Sequence, residues 1–70
     1  MEMEQLAATM DPSDFAEMFG LKAAMTPDGY FSVDVIEHQD TGPVRRIFLW
    51  DFETLEYKGC RTPSTPIRNG

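Results

Sequence analysis

Apolar and polar residues alternate in two runs in the middle of the chain, between Tyr30 and Phe52. Successive side chains of a β-strand point to opposite faces of the sheet, so the alternation predicts two strands, residues 30–39 and 44–52. The residues between them, 40–43, make a loop of a length that hairpins use. The pattern therefore predicts an antiparallel hairpin with two distinct faces.

One pairing of the two strands matches side chains of similar character across nearly the whole hairpin. A shift of one residue would turn every side chain of one strand to the opposite face and lose that match. We therefore expect a core face and an outer face. The expected neighbours are Phe31 with Phe52, Val33 with Trp50, Val35 with Phe48 and Glu37 with Arg46 on the core face, and Ile36 with Ile47 on the outer face.

The first twenty residues carry helical signals. Apolar residues at positions 3, 6, 7 and 10 share one helical face and predict a short amphipathic helix over residues 2–9. Asp11 followed by Pro12 has the chemistry of an N-cap and a first helical position, so a second helix should begin there. Gly20 suits the left-handed conformation at its end. Residues 22–25 are expected to form an irregular turn.

A third strand is expected to end near Cys60, because Leu55 and Tyr57 alternate so that both can join Trp50 on the core face. The predicted fold is α+β: an N-terminal helix, or two short helices, packed on a three-stranded antiparallel meander. Residues 1–60 should form one domain, and residues 61–70 an extended, Pro-rich tail. The helix residues expected to pack on Trp50 are Phe15, Met18 and Phe19.

The outer face is too apolar to be left in water without a role. It carries Tyr30, Ile36, Ile47 and Leu49, framed by polar residues, which is the composition of an interface. Two interpretations remain open: residues 1–10 fold back and cover this face, or it binds a partner. A homodimer through the outer face is one form of the second interpretation.

Charge is distributed unevenly along the chain. The net charge is −6, but residues 1–40 hold nine acids against one lysine, whereas residues 41–70 hold three acids against five basic residues. Such a molecule repels nucleic acid and anionic membranes and attracts basic protein surfaces, although acids also serve solubility alone. The candidate partner-binding acids are Asp14, Glu17, Asp28, Asp34, Glu37 and Asp40.

The chain lacks the residues of common catalytic and metal sites. Cys60 is the only cysteine, which excludes an intramolecular disulfide and favours a reducing, cytoplasmic compartment. His38 is the only histidine, too few for a zinc site and one strand removed from Cys60 as a catalytic base. The longest apolar run has four residues, whereas a membrane span needs about 20. We expect no enzyme activity, no cofactor and no metal.

These observations favour a small acidic binding protein that contacts a larger protein with a basic surface. An inhibitor encoded by a phage or accessory element, which occupies a nucleic-acid-binding site by imitating its charge, fits this description and would act in the cytoplasm of the host cell. The alternative is a small structural or assembly subunit of a virion or other multiprotein complex. The sequence leaves the partner, the source organism and the oligomeric state open.

Overall fold

A computed structural model describes residues 2–62. These residues form two helices and then four strands, which make one antiparallel sheet in sequence order. The α+β fold is thus confirmed, with four strands instead of three. The elements are α1 (Met3–Thr9), α2 (Pro12–Met18), β1 (Ala24–Met25), β2 (Tyr30–Gln39), β3 (Gly42–Asp51) and β4 (Tyr57–Arg61).

The start of α2 follows from its local sequence. The Asp11 carboxylate accepts a 2.8 Å hydrogen bond from the backbone N–H of Asp14, which would otherwise be unpaired in the first helical turn. Pro12 occupies the first turn, where its missing N–H costs nothing. Gly20, with a φ of 70°, follows the end of the helix. The predicted bounds of α2 are confirmed.

Strand β1 was not predicted, because two residues are too few to show a period. Ala24 pairs with Ser32 and Met25 with Phe31, so the expected irregular turn of residues 22–25 adds a short edge strand to the sheet. A tight turn then leads into β2, closed by a 3.2 Å hydrogen bond from the N–H of Gly29 to the carbonyl of Thr26.

The register of the hairpin differs from the expected one by two residues. Phe31 pairs with Trp50, Val33 with Phe48 and Ile36 with Arg45. The reason is the turn: Asp40 and Thr41 connect the strands alone, and β3 already begins at Gly42, so the expected four-residue loop is wrong. Because the shift is even, the expected faces are kept.

Both helices pack on the core face of the sheet. Phe15 of α2 is fully buried, with its ring 4.9 Å from that of Phe48 and 5.3 Å from that of Trp50. Trp50 also contacts the ring of Tyr57, at 5.5 Å, as expected for the third predicted strand. The buried core consists of Ala7, Phe15, Ala16, Val33, Val35, Phe48 and Trp50.

Four residues expected in the core are exposed. Phe19 and Phe52 lie just past the ends of α2 and β3, with 37% and 42% of their surfaces exposed. Met18 lies about 200° around α2 from the buried Ala16, so it faces away from the sheet, with 55% of its surface exposed. Leu55 precedes β4 instead of lying on it, and 43% of its surface is exposed. The expectation for Met18 was wrong because its position in the helical turn carries it away from the buried face, and that for Leu55 was wrong because β4 begins only at Tyr57.

The outer face is not covered by the N-terminal segment. The indole N–H of Trp50, on the core face, donates to the carbonyl oxygens of Ala7 at 3.3 Å and Met10 at 3.0 Å. Residues 2–10 therefore lie on the same side of the sheet as α2, and the interpretation in which they cover the outer face is wrong. The described part of the chain thus has two layers. Most of the expected tail, residues 63–70, lies outside the described residues.

Candidate binding surfaces

The ten predicted partner-binding residues do not form one site. They divide among the helix side, the outer face of the sheet and two turns, so no single flat partner could contact them all. Asp14 and Glu17 lie on α2; Tyr30, Asp34, Ile36, Ile47 and Leu49 lie on the outer face; Glu37 lies on the core face; Asp28 and Asp40 lie in the turns at opposite ends of β2.

Asp34 forms an ion pair with Arg45 of the same chain. The Arg45 Nε atom lies 2.9 Å from each carboxylate oxygen of Asp34, on the outer face. The hydrogen bond with Asp34 raises the pKa of Arg45, as does the negative charge of that carboxylate. The charge of Asp34 is therefore balanced locally and contributes little to the field of the outer face.

Glu37 is also part of an internal ion pair. The Arg46 guanidinium lies 3.1 Å from Glu37 and 3.1 Å from Glu4 of α1, and 5.2 Å above the ring of Phe48. Desolvation opposes the charge of Arg46, but its interactions with Cys60 and Glu37 outweigh desolvation and raise the pKa of Arg46. Arg46 thus links α1 to the hairpin through Glu4, and Glu37 helps to fix the position of Arg46.

The two acids in turns are exposed and differ in their surroundings. Asp28 accepts a 2.6 Å hydrogen bond from the hydroxyl of Thr26, and this bond, with one from its own backbone, lowers the pKa of Asp28. Asp40 lies at the tip of the hairpin. Both stand apart from the other candidates.

Asp14 and Glu17 are the acids that remain available on a helix. They are three residues apart on α2, both are exposed, and neither forms an ion pair within residues 2–62. Beside them, Met18 is 55% and Phe19 is 37% exposed. This part of α2 therefore presents unneutralised carboxylates next to apolar surface.

A groove runs along the same helix, between α2 and the start of the sheet. It consists of two adjoining hollows of about 490 Å³ and about 200 Å³ that share Ser13, Ala23 and Phe31. We call it the α2 groove. The larger hollow is also lined by Glu17, Leu21 and Lys22, and the smaller one by Asp11, Pro12 and Leu55. An apolar floor with acids at its edge can hold an apolar side chain flanked by basic ones.

Leu55 is in a conformation that leucine seldom adopts. Its φ is 62°, the left-handed region, which is the only positive φ of a non-glycine residue in residues 2–62. This conformation costs about 1–2 kcal/mol for a residue with a Cβ. The Leu55 side chain is not fully buried, so burial does not offset this cost completely. Its exposed position beside the smaller hollow is consistent with a role in binding.

The groove residues were missed because the sequence pattern placed Phe31 and Leu55 in the core. One signal could have found them: a seven-residue helix is about 10 Å long, whereas a ten-residue strand is about 33 Å long. Two such helices cannot cover the whole core face. Apolar residues at its end must then stay partly exposed.

The outer face has an apolar centre, with Ile36 53% exposed and Ile47 and Leu49 half-buried. The half-buried Tyr30 lies at one end of this face, and the Asp34 and Arg45 pair crosses it. It is thus a second surface, on the opposite side of the sheet from the α2 groove.

No family model, curated protein or solved structure matches the chain. Within residues 2–62, no cluster of three or more histidine, cysteine, aspartate or glutamate side chains could hold a metal ion. No helix in the same part of the chain is long and apolar enough to cross a membrane.

Proposed function

We propose that the protein is a small acidic binding protein without enzymatic activity, and that α2 and the α2 groove contact a basic surface of a larger protein. One observation carries the proposal: Asp14 and Glu17 are exposed beside apolar surface with no ion-pair partner among residues 2–62. Asp34 and Glu37, in contrast, are held by Arg45 and Arg46 and are less suited to this role.

The two parts of this surface have different tasks. Exposed carboxylates accelerate and orient the approach of a basic partner, whereas buried apolar area supplies most of the affinity. A nucleic-acid-binding site is a basic surface of the required kind. We favour an inhibitor that occupies such a site, encoded by a phage or accessory element, because residues 1–40 hold nine acids and one lysine.

A charge reversal with a matched control tests this proposal. Once a partner has been captured from the native host and purified, its association rate is measured for the Asp14→Lys/Glu17→Lys variant. The control is Asp40→Lys/Glu53→Lys, which changes the net charge equally at two exposed acids away from α2. We expect the α2 variant to slow association markedly more than the control, and the affinity to fall steeply with salt. Equal effects of both variants, or none, would contradict the proposal.

The outer face favours a second candidate function, that of an assembly subunit. With 53% of Ile36 exposed, this face offers an apolar contact that does not involve the acids of α2. An apolar contact responds little to salt, because it depends on burial and not on screened charge. A salt-insensitive complex that survives the reversal at Asp14 and Glu17 would favour this function.

A further inference from the structure

Strand β2 has an open edge along more than half of its length. On the side away from β3, β1 pairs only with Phe31 and Ser32. Beyond Ser32, no strand among residues 2–62 pairs with β2 on that side. The distal part of the hairpin therefore extends as a two-stranded arm past the short edge strand.

The orientation of the backbone shows which groups this edge presents. The carbonyl of Tyr30 accepts a 2.8 Å hydrogen bond from the N–H of Thr26, so it points away from β3. Backbone direction alternates along a strand, and the pairing of β2 with β3 is regular throughout. Asp34, Ile36 and His38 therefore also point their N–H and C=O groups outward. No residue of the described range hydrogen-bonds to these groups.

The two edges of the arm differ in their protection. At the free edge of β3, Pro43 has no N–H, and this discourages another strand. Strand β2 contains no proline, so every residue along its edge keeps its N–H. The edge of β2 is thus the one that can accept a strand.

We propose that two copies of the chain pair through this edge, antiparallel and centred on Ile36. In this register Ile36 faces Ile36 of the second copy, and Asp34 faces His38 of the second copy on both sides of the centre. Each facing pair can exchange two backbone hydrogen bonds. Asp34, already bound to Arg45, can also accept from an imidazole N–H. A strand that is complementary to itself in this way suits a two-fold symmetric dimer.

Charge does not oppose this contact as strongly as the composition of the whole chain implies. Residues 33–47 of the arm hold three acids and two arginines, a net charge of −1. Pairing would also join the outer faces of the two copies into one surface that includes Ile36 and Ile47. The inference is independent of the α2 groove, which lies on the helix side of the sheet.

The molecular mass of the full chain, measured by sedimentation from micromolar to millimolar concentration, tests the proposal. At high concentration we expect an average molecular mass of twice 8.0 kDa. This average should fall on dilution, because the dimer dissociates. Ile36→Pro should give a monomer, because it removes an outward N–H and leaves the bonds to β3 in place. Ile47→Lys should remain dimeric, since Ile47 lies on the outer face and not at the edge; a face-to-face dimer would give the opposite result.

A second pair of variants tests the register. His38→Asp sets like charges opposite Asp34 twice per dimer and should weaken dimerisation about 2- to 30-fold, whereas His38→Lys should not weaken it. His38 is exposed, so circular dichroism should show a folded chain in both cases. A wild-type monomer at all concentrations, a dimer that survives Ile36→Pro, or equal effects of both His38 variants would overturn the proposal.

Discussion

The indole N–H of Trp50 donates a 3.0 Å hydrogen bond to the carbonyl oxygen of Met10, the C-cap residue of α1. The last carbonyls of a helix have no partner within the helix, and here a side chain of the sheet supplies one. The same N–H lies 3.3 Å from the carbonyl of Ala7. Trp50 thus fixes α1 on the core face as well as filling the core.

Substitution of Trp50 should separate these two roles. Trp50→Ala leaves a cavity and should lower the free energy of unfolding by about 3–5 kcal/mol, most of the stability of so small a domain. Trp50→Phe keeps an aromatic ring but leaves the Met10 carbonyl without its partner, at a cost of about 1–3 kcal/mol. Urea denaturation measures both. Near wild-type stability of Trp50→Ala would contradict the packing described for the core.

The N-cap of α2 should contribute measurably to stability. Asp11→Ala removes the acceptor for the N–H of Asp14 and should cost about 0.5–2 kcal/mol. Asp11→Asn keeps a side-chain oxygen and should cost less. Thermal unfolding compares the two variants, and an equal loss in both would mean that the charge of Asp11, and not its hydrogen bond, stabilises the helix.

The ion pair between Glu4 and Arg46 should couple α1 to the hairpin. The Arg46 side chain is only 17% exposed, so the pair is less screened than most at a surface. A double-mutant cycle of Glu4→Gln and Arg46→Met should give a coupling of about 0.5–1 kcal/mol. The matched cycle of Glu56→Gln and Lys58→Met, a more exposed pair, should give less. A larger coupling for the second pair would contradict this ranking.

Tyr57 should make stability fall at high pH. Its hydroxyl oxygen is buried with no hydrogen-bond partner among residues 2–62, and burial, together with the charge of Glu4, raises the pKa of Tyr57 from 10.0 to about 12. The folded state favours the neutral phenol, so this stabilisation is complete below pH 10.0 and is lost as the pH rises through about 12.

Comparison with Tyr57→Phe isolates the effect, because a phenylalanine side chain cannot ionise. The free energy of unfolding of the variant should show a weaker decline over this pH range than that of the wild type. Tyr57→Phe should not destabilise the protein at neutral pH, since it removes an unpaired buried hydroxyl. Identical pH profiles would show that Tyr57 ionises as readily in the folded chain as in the unfolded one.

Leu55 should lower the stability of the fold and contribute to partner binding. Leu55→Asn should stabilise the fold by about 0.5–1 kcal/mol, because asparagine tolerates a positive φ better than leucine. Leu21→Asn is the control: Leu21 is similarly exposed in the α2 groove, but its φ is not positive. We expect only Leu55→Asn to raise the melting temperature and both variants to weaken partner binding. Destabilisation by Leu55→Asn would contradict this prediction.

The sequence predicted the faces of the hairpin better than its register. Which side of the sheet a residue occupies depends only on whether its position is odd or even, so Val33 and Trp50 were placed correctly on the core face. Their pairing depends on the length of the turn, and Asp40 and Thr41 carry no signal that distinguishes a two-residue turn from a longer one ending at Pro43.

Other features depend on contacts between different elements, so no local pattern in the sequence predicts them. Asp34 and Glu37 were identified as acids, but whether an acid is available depends on its neighbours across the strands, and these followed from the register. Ala24 and Met25 join the sheet through contacts with β2 that no local pattern encodes. The α2 groove likewise results from the lengths of several elements together.

The bonds that hold α1 have a consequence for the order of folding. Its contacts with Trp50 and Arg46 join residues 40 and 42 positions apart in the chain, whereas the turn of the hairpin joins neighbours. Closing a longer loop costs more entropy, so the hairpin should form first and α1 should dock last. During synthesis α1 leaves the ribosome before the hairpin, so it has no docking site until the hairpin has been made. Of these two segments, the one made earlier is thus the one that docks later.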